Sequence, residues 1–482
     1  MPSPHQPSPL ILLPQLPPKT LVGIDLIAFS STANFHGIRD LPNGWHFLYT
    51  GTTESLSLRC GAWFYVGDVR STGSGDSDTA VVVAQAPNPA PEIYIWKWNT
   101  ETESLSSLKY DSDADRQEAM RYKANLGALW QSGGLFRYRS CVSPAMLSNK
   151  PGSAPAEARQ AEEDEEAEES GRRDWRQLTN RLSPEILTRI IGEPELDVDG
   201  RPRWMVTSAS TANRDADHIP GVDSPAAGEQ TSAGMISEQE REFGFLPIDL
   251  KRTWREGAIG RERTEAAQDK SWALGDLIYK YSSRVSGEIT VDEQTGEAQV
   301  LGELQFTFIM ALTMMNFSCL QQWKRLLELI LTCRRAILDR EAFMSEVLRL
   351  LLRQLERFDD VEGGLLEIDG DEGGEFLRNL LTKMRRSVDE VVEPGTQSMV
   401  KTELDRVDAW VKNEYDWELT RESIVRRGML QLEDGEEVEM SMNDNDEDEE
   451  TGEYAPMVVE LGEQNDMRLQ EEEASDLEDM RY

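Results

Sequence analysis

The sequence predicts an α+β multidomain chain: a β-sandwich-like N-terminal domain, an all-α C-terminal domain and a disordered acidic tail. Three observations carry this. Apolar residues repeat at a period of two in the first third of the chain. They repeat at the helical period from about Asp269 onward. Between and after these regions lie runs too acidic or too simple in composition to build a core of their own.

Taken in order, the first 18 residues hold seven prolines and no charged run, so 1–20 reads as a disordered leader, neither a signal peptide nor an anchor. A β-rich domain is expected over 21–150. Val22, Ile24 and Leu26 alternate with Gly23 and Asp25. Trp45, Phe47 and Tyr49 then alternate with His46 and Leu48, and Trp63–Val66, Val81–Val83 and Ile93–Trp98 follow as candidate strands. Pro42-Asn43-Gly44 launches the second of these, because Asn and Gly tolerate the positive φ of a tight turn. The spacing favours a sandwich or barrel.

An acidic linker is expected over 151–172, where AEEDEEAEES carries seven acidic residues in ten. A second linker, 173–268, contains a short helix opened by Ser183 as N-cap with Pro184 at the first helical position, then a low-complexity insertion near Ser210. The α-helical domain spans 269–430. Trp323, Leu326, Leu327 and Ile330 trace one apolar face, and Phe343, Val347, Leu350 and Leu351 another. Further helices are expected at Ser271–Tyr281, Leu301–Met315, Phe376–Arg386, Thr402–Tyr415 and near Glu422, packed as antiparallel neighbours in a bundle or superhelix. Leu304–Trp323 is uncharged over twenty residues, the length of a membrane span, but seven polar side chains interrupt it and Asn316 marks a break between two buried helices.

The tail, 431–482, has 21 acidic residues against two arginines, about half of the whole chain's net charge of −39. Such a charge repels phosphate backbones, so direct nucleic-acid binding is not expected and a basic protein partner is. Inside the tail, 454–461 is an apolar, strand-forming island. Tyr454, Pro456, Met457, Val458, Val459 and Leu461 are its candidate partner-binding residues, suited to adding a strand to the edge of another sheet. Ser475, within EEEASDLEDM, is a candidate phosphosite, since acid-directed kinases favour such surroundings.

Signs of catalysis are few. The sequence has no phosphate-cradling glycine loop, no HExxH and no GxSxG, and its four histidines are too few for most acid–base designs. The four cysteines, Cys60, Cys141, Cys319 and Cys333, are widely spread and read as reduced thiols. His36 and His46 lie ten residues apart with Asp40 between them, which leaves a metal hydrolase as a third reading. In a strand from Trp45, however, His46 shares a face with Leu48 and is expected to be a packing residue. No catalytic residue, metal or cofactor is expected.

GIDLIAFSSTANFHGIRDLPNGWHFLYT followed by LRCGAWFYV resembles the N-terminal signature of the A1-cistron splicing factor family, the assembly factors of the U5 small nuclear ribonucleoprotein. RTEAAQDKSWALGDLI and LGELQFTFIMALTMMNFSCLQQWKRLLELI are similar to that family's helical segments, in the same order. The resemblance implies a β-sandwich-like domain, a superhelical, VHS-like domain and a strand-adding tail. It also implies a partner, the large U5 scaffold protein, gripped through its RNase H-like and endonuclease-like domains. The factor would hold off the RNA helicase and RNA until maturation, shuttling between cytoplasm and nucleus, with phosphorylation favouring release. A general acidic, histone-type chaperone is the alternative.

Overall fold

The computed structural model describes residues 8–52, 58–67, 92–141, 154–212, 242–284, 291–358, 372–393, 395–419, 426–431 and 437–442. Those up to Leu419 form one compact unit, and 420–482 is a second.

A five-stranded sheet is ordered β8 (Ser104–Ser107), β7 (Ile93–Asn99), β1 (Leu10–Leu12), β4 (Gly37–Arg39), β9 (Leu135–Arg137). Its central strand lies in the stretch expected to be a disordered leader. Leu10–Leu12 pairs antiparallel with β4 and parallel with β7, and the run is buried throughout. Pro9 and Pro14 only flank the run, so no proline interrupts its backbone ladder, and its apolar side chains outweigh the leader's composition. Ile11 faces one core while Leu10 and Leu12 face another, as strand alternation requires.

The second sheet has six strands: β10 (Glu195–Leu196), β11 (Pro202–Thr207), β6 (Arg59–Val66), β5 (Gly44–Gly51), β2 (Leu21–Ile24), β3 (Ile27–Ser30). The strand expected through Leu26 ends at Ile24, because Asp25 takes φ +56° and turns the chain into β3. Gly23 and Gly61 flank Tyr49 in register, and a Cβ on Gly23 would lie 1.9 Å from the Tyr49 ring. Glycine is required where that ring crosses the sheet.

Each face of this sheet is covered. Val22, Ile24, Leu48, Phe64 and Val66 meet Ile11, Tyr94 and Trp96 of the first sheet, which makes the sandwich interior. Leu21, Trp45, Phe47, Tyr49, Trp63 and Trp204 turn the other way, into the core shared with the helices. The outer face of the first sheet is covered by α1 (Asp113–Ala124) and α2 (Leu126–Gln131) through Ala119, Tyr122 and Leu126.

The helical layer consists of α3 (Ala154–Thr179), α4 (Pro184–Ile191), α5 (Arg261–Gln268), α6 (Ser271–Lys280), α7 (Glu293–Met314), α8 (Phe317–Leu331), α9 (Ala336–Asp339), α10 (Glu341–Leu355), α11 (Glu372–Val391) and α12 (Met399–Tyr415), with a two-residue ladder between β12 (Ser283–Arg284) and β13 (Val291–Asp292). The expected break at Asn316 is present. Met315 is left-handed, and the Asn316 side chain caps α8 by accepting from the Cys319 N–H at 2.9 Å. Ser183 and Pro184 open α4 as expected, with Ser183 Oγ accepting from the Ile186 N–H. No helix among the described residues is long and apolar enough to cross a membrane.

Three segments differ from expectation. The acidic run is part of α3, not a linker without structure. Alanine and glutamate are strong helix formers, the exposed acids face solvent, and Trp175 and Leu178 anchor the end of the helix. The segment after it is no mere connector, since Pro202–Thr207 extends the six-stranded sheet through β6. At the end of the expected helical domain, β14 (Arg426–Gln431) pairs antiparallel with β15 (Glu437–Met442) of the expected disordered tail, where Val438, Met440 and Met442 alternate with polar residues. Val81–Val83, Glu422, the tail island and Ser475 lie outside the described residues.

Candidate functional site

His46 sits on β5 with 1 % of its surface exposed, facing the sandwich interior with Leu48. Its Nδ1 is 2.8 Å from Asp25 Oδ2 and its Nε2 is 2.8 Å from the Pro42 carbonyl. Both neighbours are acceptors, and a neutral imidazole carries a single N–H, so only the imidazolium satisfies both. Burial acts to lower the pKa of the ring. The charge and hydrogen bond of Asp25 and the Pro42 carbonyl outweigh it, and His46 titrates above its ordinary range.

Asp25 is itself fully engaged. The Phe47 N–H donates to its Oδ1 at 3.0 Å, and the Tyr138 hydroxyl donates to its Oδ2 at 2.6 Å. Burial and this carboxylate push the Tyr138 pKa far up, so the phenol stays protonated as a donor. The left-handed turn at Asp25 aims its carboxylate at the backbone of β5, and its own N–H bonds the Phe47 carbonyl at 2.8 Å. His46, Asp25 and Tyr138 therefore join both sheets through one buried polar cluster.

The structure does not gather the residues of the metal-hydrolase reading. Both ring nitrogens of His46 are occupied. Asp40 takes the Ser8 hydroxyl at 2.6 Å and Arg39 at 3.0 Å. His36 enters β4 on the other sheet, with its backbone bonded to Leu13 and Gly134. Among the described residues no group of three His, Cys, Asp or Glu side chains is arranged to hold a metal ion. The four cysteines are free. Burial pushes the Cys60 and Cys333 thiols up, the wrong direction for a nucleophile.

The sequence reading also missed a buried tie between segments. Glu303 of α7 is fully buried. Its carboxylate accepts from Arg189 Nη1 at 2.6 Å, from the Leu246 N–H at 3.0 Å and from Gln322 Nε2 at 2.8 Å. A glutamate inside an otherwise uncharged helical run was the only signal. Across the sheet–helix boundary, Trp45 Nε1 donates to the Leu182 carbonyl at 3.0 Å, and Trp175 Nε1 donates to the Trp45 carbonyl at 2.7 Å. Arg59 of β6 reaches the Thr313 carbonyl of α7 at 2.6 Å. Asn316 Nδ2 donates to the Ser208 and Ser210 carbonyls at 3.2 and 2.8 Å.

The chain is thus an α+β protein whose buried polar groups hold a β-sandwich and a helical layer together as one body. Two family models match it in the same order: AAR2 N-terminal domain over residues 7–192 and AAR2 C-terminal repeat region over residues 245–420. The chain belongs to the AAR2 family, the A1-cistron splicing factors. A relative described as "Protein AAR2 homolog", from Pongo abelii, is 23 % identical over 188 residues, 38 % of this chain and 45 % of that protein, so the match spans less than half of the relative's length.

Proposed function

We propose that this chain is a non-enzymatic pre-mRNA splicing factor and an assembly chaperone of the U5 small nuclear ribonucleoprotein. It binds the large U5 scaffold protein through that protein's RNase H-like and endonuclease-like domains and holds off helicase and RNA until maturation. The observation that carries this reading is the pair of family matches, covering both modules in order. The charge supports it: a chain of net −39 repels RNA, attracts a cationic RNA-handling host and temporarily takes the place of phosphates. The engagement of both His46 nitrogens in structural bonds supports a role without bond-breaking chemistry. Localisation in cytoplasm and nucleus, and release promoted by phosphorylation at Ser475, belong to the same proposal.

Affinity capture from cell extract with the full chain tests it. Recovery of the large U5 scaffold protein at low salt, weakening as ionic strength rises, is the expected result. Capture of no splicing scaffold overturns the reading, and capture of histones alone favours a general acidic chaperone. Deletion of 453–462 should weaken recovery. Unchanged recovery would remove Tyr454, Pro456, Met457, Val458, Val459 and Leu461 as the strand that joins the partner's sheet.

A further inference from the structure

A cavity of about 460 Å³ opens between the Pro42–Gly44 turn, α3 and the start of α4. Its size is that of small-molecule sites, typically about 300–1,000 Å³. Trp45, Tyr65, Tyr138 and Trp175 line it, with Arg172 and Arg176 alongside them. The polar tips of three of these aromatic residues are already engaged: Trp45 with the Leu182 carbonyl, Trp175 with the Trp45 carbonyl and Tyr138 with Asp25. What they offer a ligand is ring surface. His46 also lines the cavity, but its charge is matched by Asp25 at 2.8 Å.

The arginines are placed differently. Arg172 lies 3.7 Å from Glu169, a long contact to a half-exposed carboxylate. Arg176 has no charged or hydrogen-bonding partner among the described residues. The exposed Glu185 also lines the cavity, and with Glu169 beside Arg172 the recess is close to neutral. In a chain of net charge −39, a near-neutral aromatic recess with the exposed guanidinium of Arg176 at its rim departs locally from the overall charge. Guanidinium groups bind carboxylate or phosphate oxygens through two parallel N–H bonds and stack on aromatic faces.

We propose that this cavity is a binding site for a small aromatic anion, its ring held among Trp45, Tyr65, Tyr138 and Trp175 and its single carboxylate or phosphate taken by Arg176 with Arg172. The proposal does not rest on the scaffold-binding reading, because it is argued from the lining of the cavity alone, within the unit formed by residues up to Leu419. Ligand-observed NMR on the full chain tests it, with phenyl phosphate and indole-3-acetate as probes, benzyl alcohol and benzylamine as neutral and cationic controls, and the peptide acetyl-Glu-Tyr-Glu-amide. Saturable binding of the free anions is expected, at least tenfold tighter than that of the controls. The Arg172→Ala/Arg176→Ala double variant should lose that preference at an unchanged melting temperature, and Arg176→Lys should retain part of it. Absence of saturable binding by either anion overturns the proposal. So does binding that the double variant leaves intact, and binding of the peptide without the free anions overturns the assignment to a small molecule.

Discussion

Replacing His46 by leucine removes the imidazolium and leaves its partners in place. Asp25 keeps two donors, the Phe47 N–H at 3.0 Å and the Tyr138 hydroxyl at 2.6 Å, but loses its counter-ion. The Pro42 carbonyl loses its donor. Removing one partner of a buried ion pair costs about 3–5 kcal/mol, and the donors that Asp25 keeps place the carboxylate's share toward the lower end. The unpaired carbonyl adds about 1–3 kcal/mol, so a loss of roughly 4–6 kcal/mol is expected. Urea titration of wild type and His46→Leu, followed by tryptophan fluorescence, measures it. The pH dependence gives a second readout. The folded-state pKa of His46 is raised above 6.5, so its stabilising contribution is complete below that value and is lost as pH rises through the folded pKa. The gap between the two proteins should therefore be widest near pH 5.5–6 and narrow on the alkaline side. A gap under about 1 kcal/mol would mean that no buried charge was left unpaired, and a gap widening with pH would mean that the ring is neutral in the fold; either result refutes the imidazolium assignment.

Gly23→Ala places a Cβ 1.9 Å from the Tyr49 ring, and overpacking of this kind should cost about 1–3 kcal/mol by the same denaturation measurement. Gly127→Ala, in α2 with nothing within 4 Å of the added Cβ, should instead stabilise by about 0.4–1 kcal/mol. Glu303→Ala strips the buried carboxylate from Arg189, the Leu246 N–H and Gln322, and a destabilisation of about 3–5 kcal/mol is expected, checked by chemical unfolding. A fragment ending at Ile191 keeps α3 and α4 but loses β11 and α7, which uncovers part of the helix-facing aromatic row, including the side of Trp63 that meets Phe306, and it should aggregate, as judged by size-exclusion chromatography with light scattering, while 1–419 remains monodisperse.

The parts of the fold legible in the sequence were those where local pattern and tertiary role agree. The alternation Trp45, Phe47, Tyr49 correctly separated two faces of β5, and the same count placed His46 with Leu48. Helices α8 and α10 follow their apolar stripes because each buries a single face. Legibility failed where a partner distant in sequence decides the outcome. Leu10–Leu12 is too short to signal a strand, and the ladders to β4 and β7 that make it one come from residues 25 to 29 and more than 80 positions away. The acidic run reads as solvated linker until Glu168 meets the Ser140 N–H at 2.9 Å and Arg139 at 3.2 Å, which lets one acid be buried while its neighbours remain wet. Asp25 looked like the polar half of an alternating strand. Its left-handed φ and its bonds to His46 and Tyr138 emerge only when β2, β5 and the end of β9 converge.

The six-stranded sheet is the wall that both modules share, and this decides how the chain can present itself to a partner. An antiparallel sheet usually keeps one face wet. Here Leu48 and Phe64 fill the sandwich on one side, while Trp45, Phe47 and Trp63 fill the helical core on the other. Trp63 lies 6.0 Å from Trp175 and 6.3 Å from Phe306, so rings from a strand, α3 and α7 pack in one cluster. Neither module can turn against the other without opening that cluster and breaking the Trp45, Trp175, Arg59 and Asn316 bonds that cross it. Both faces of the six-stranded sheet are therefore closed to outside contact, and the β and α modules form a single preorganised body. A body ordered in advance loses little conformational entropy on docking, so under the proposed function its outer surface would meet a partner without first having to order itself.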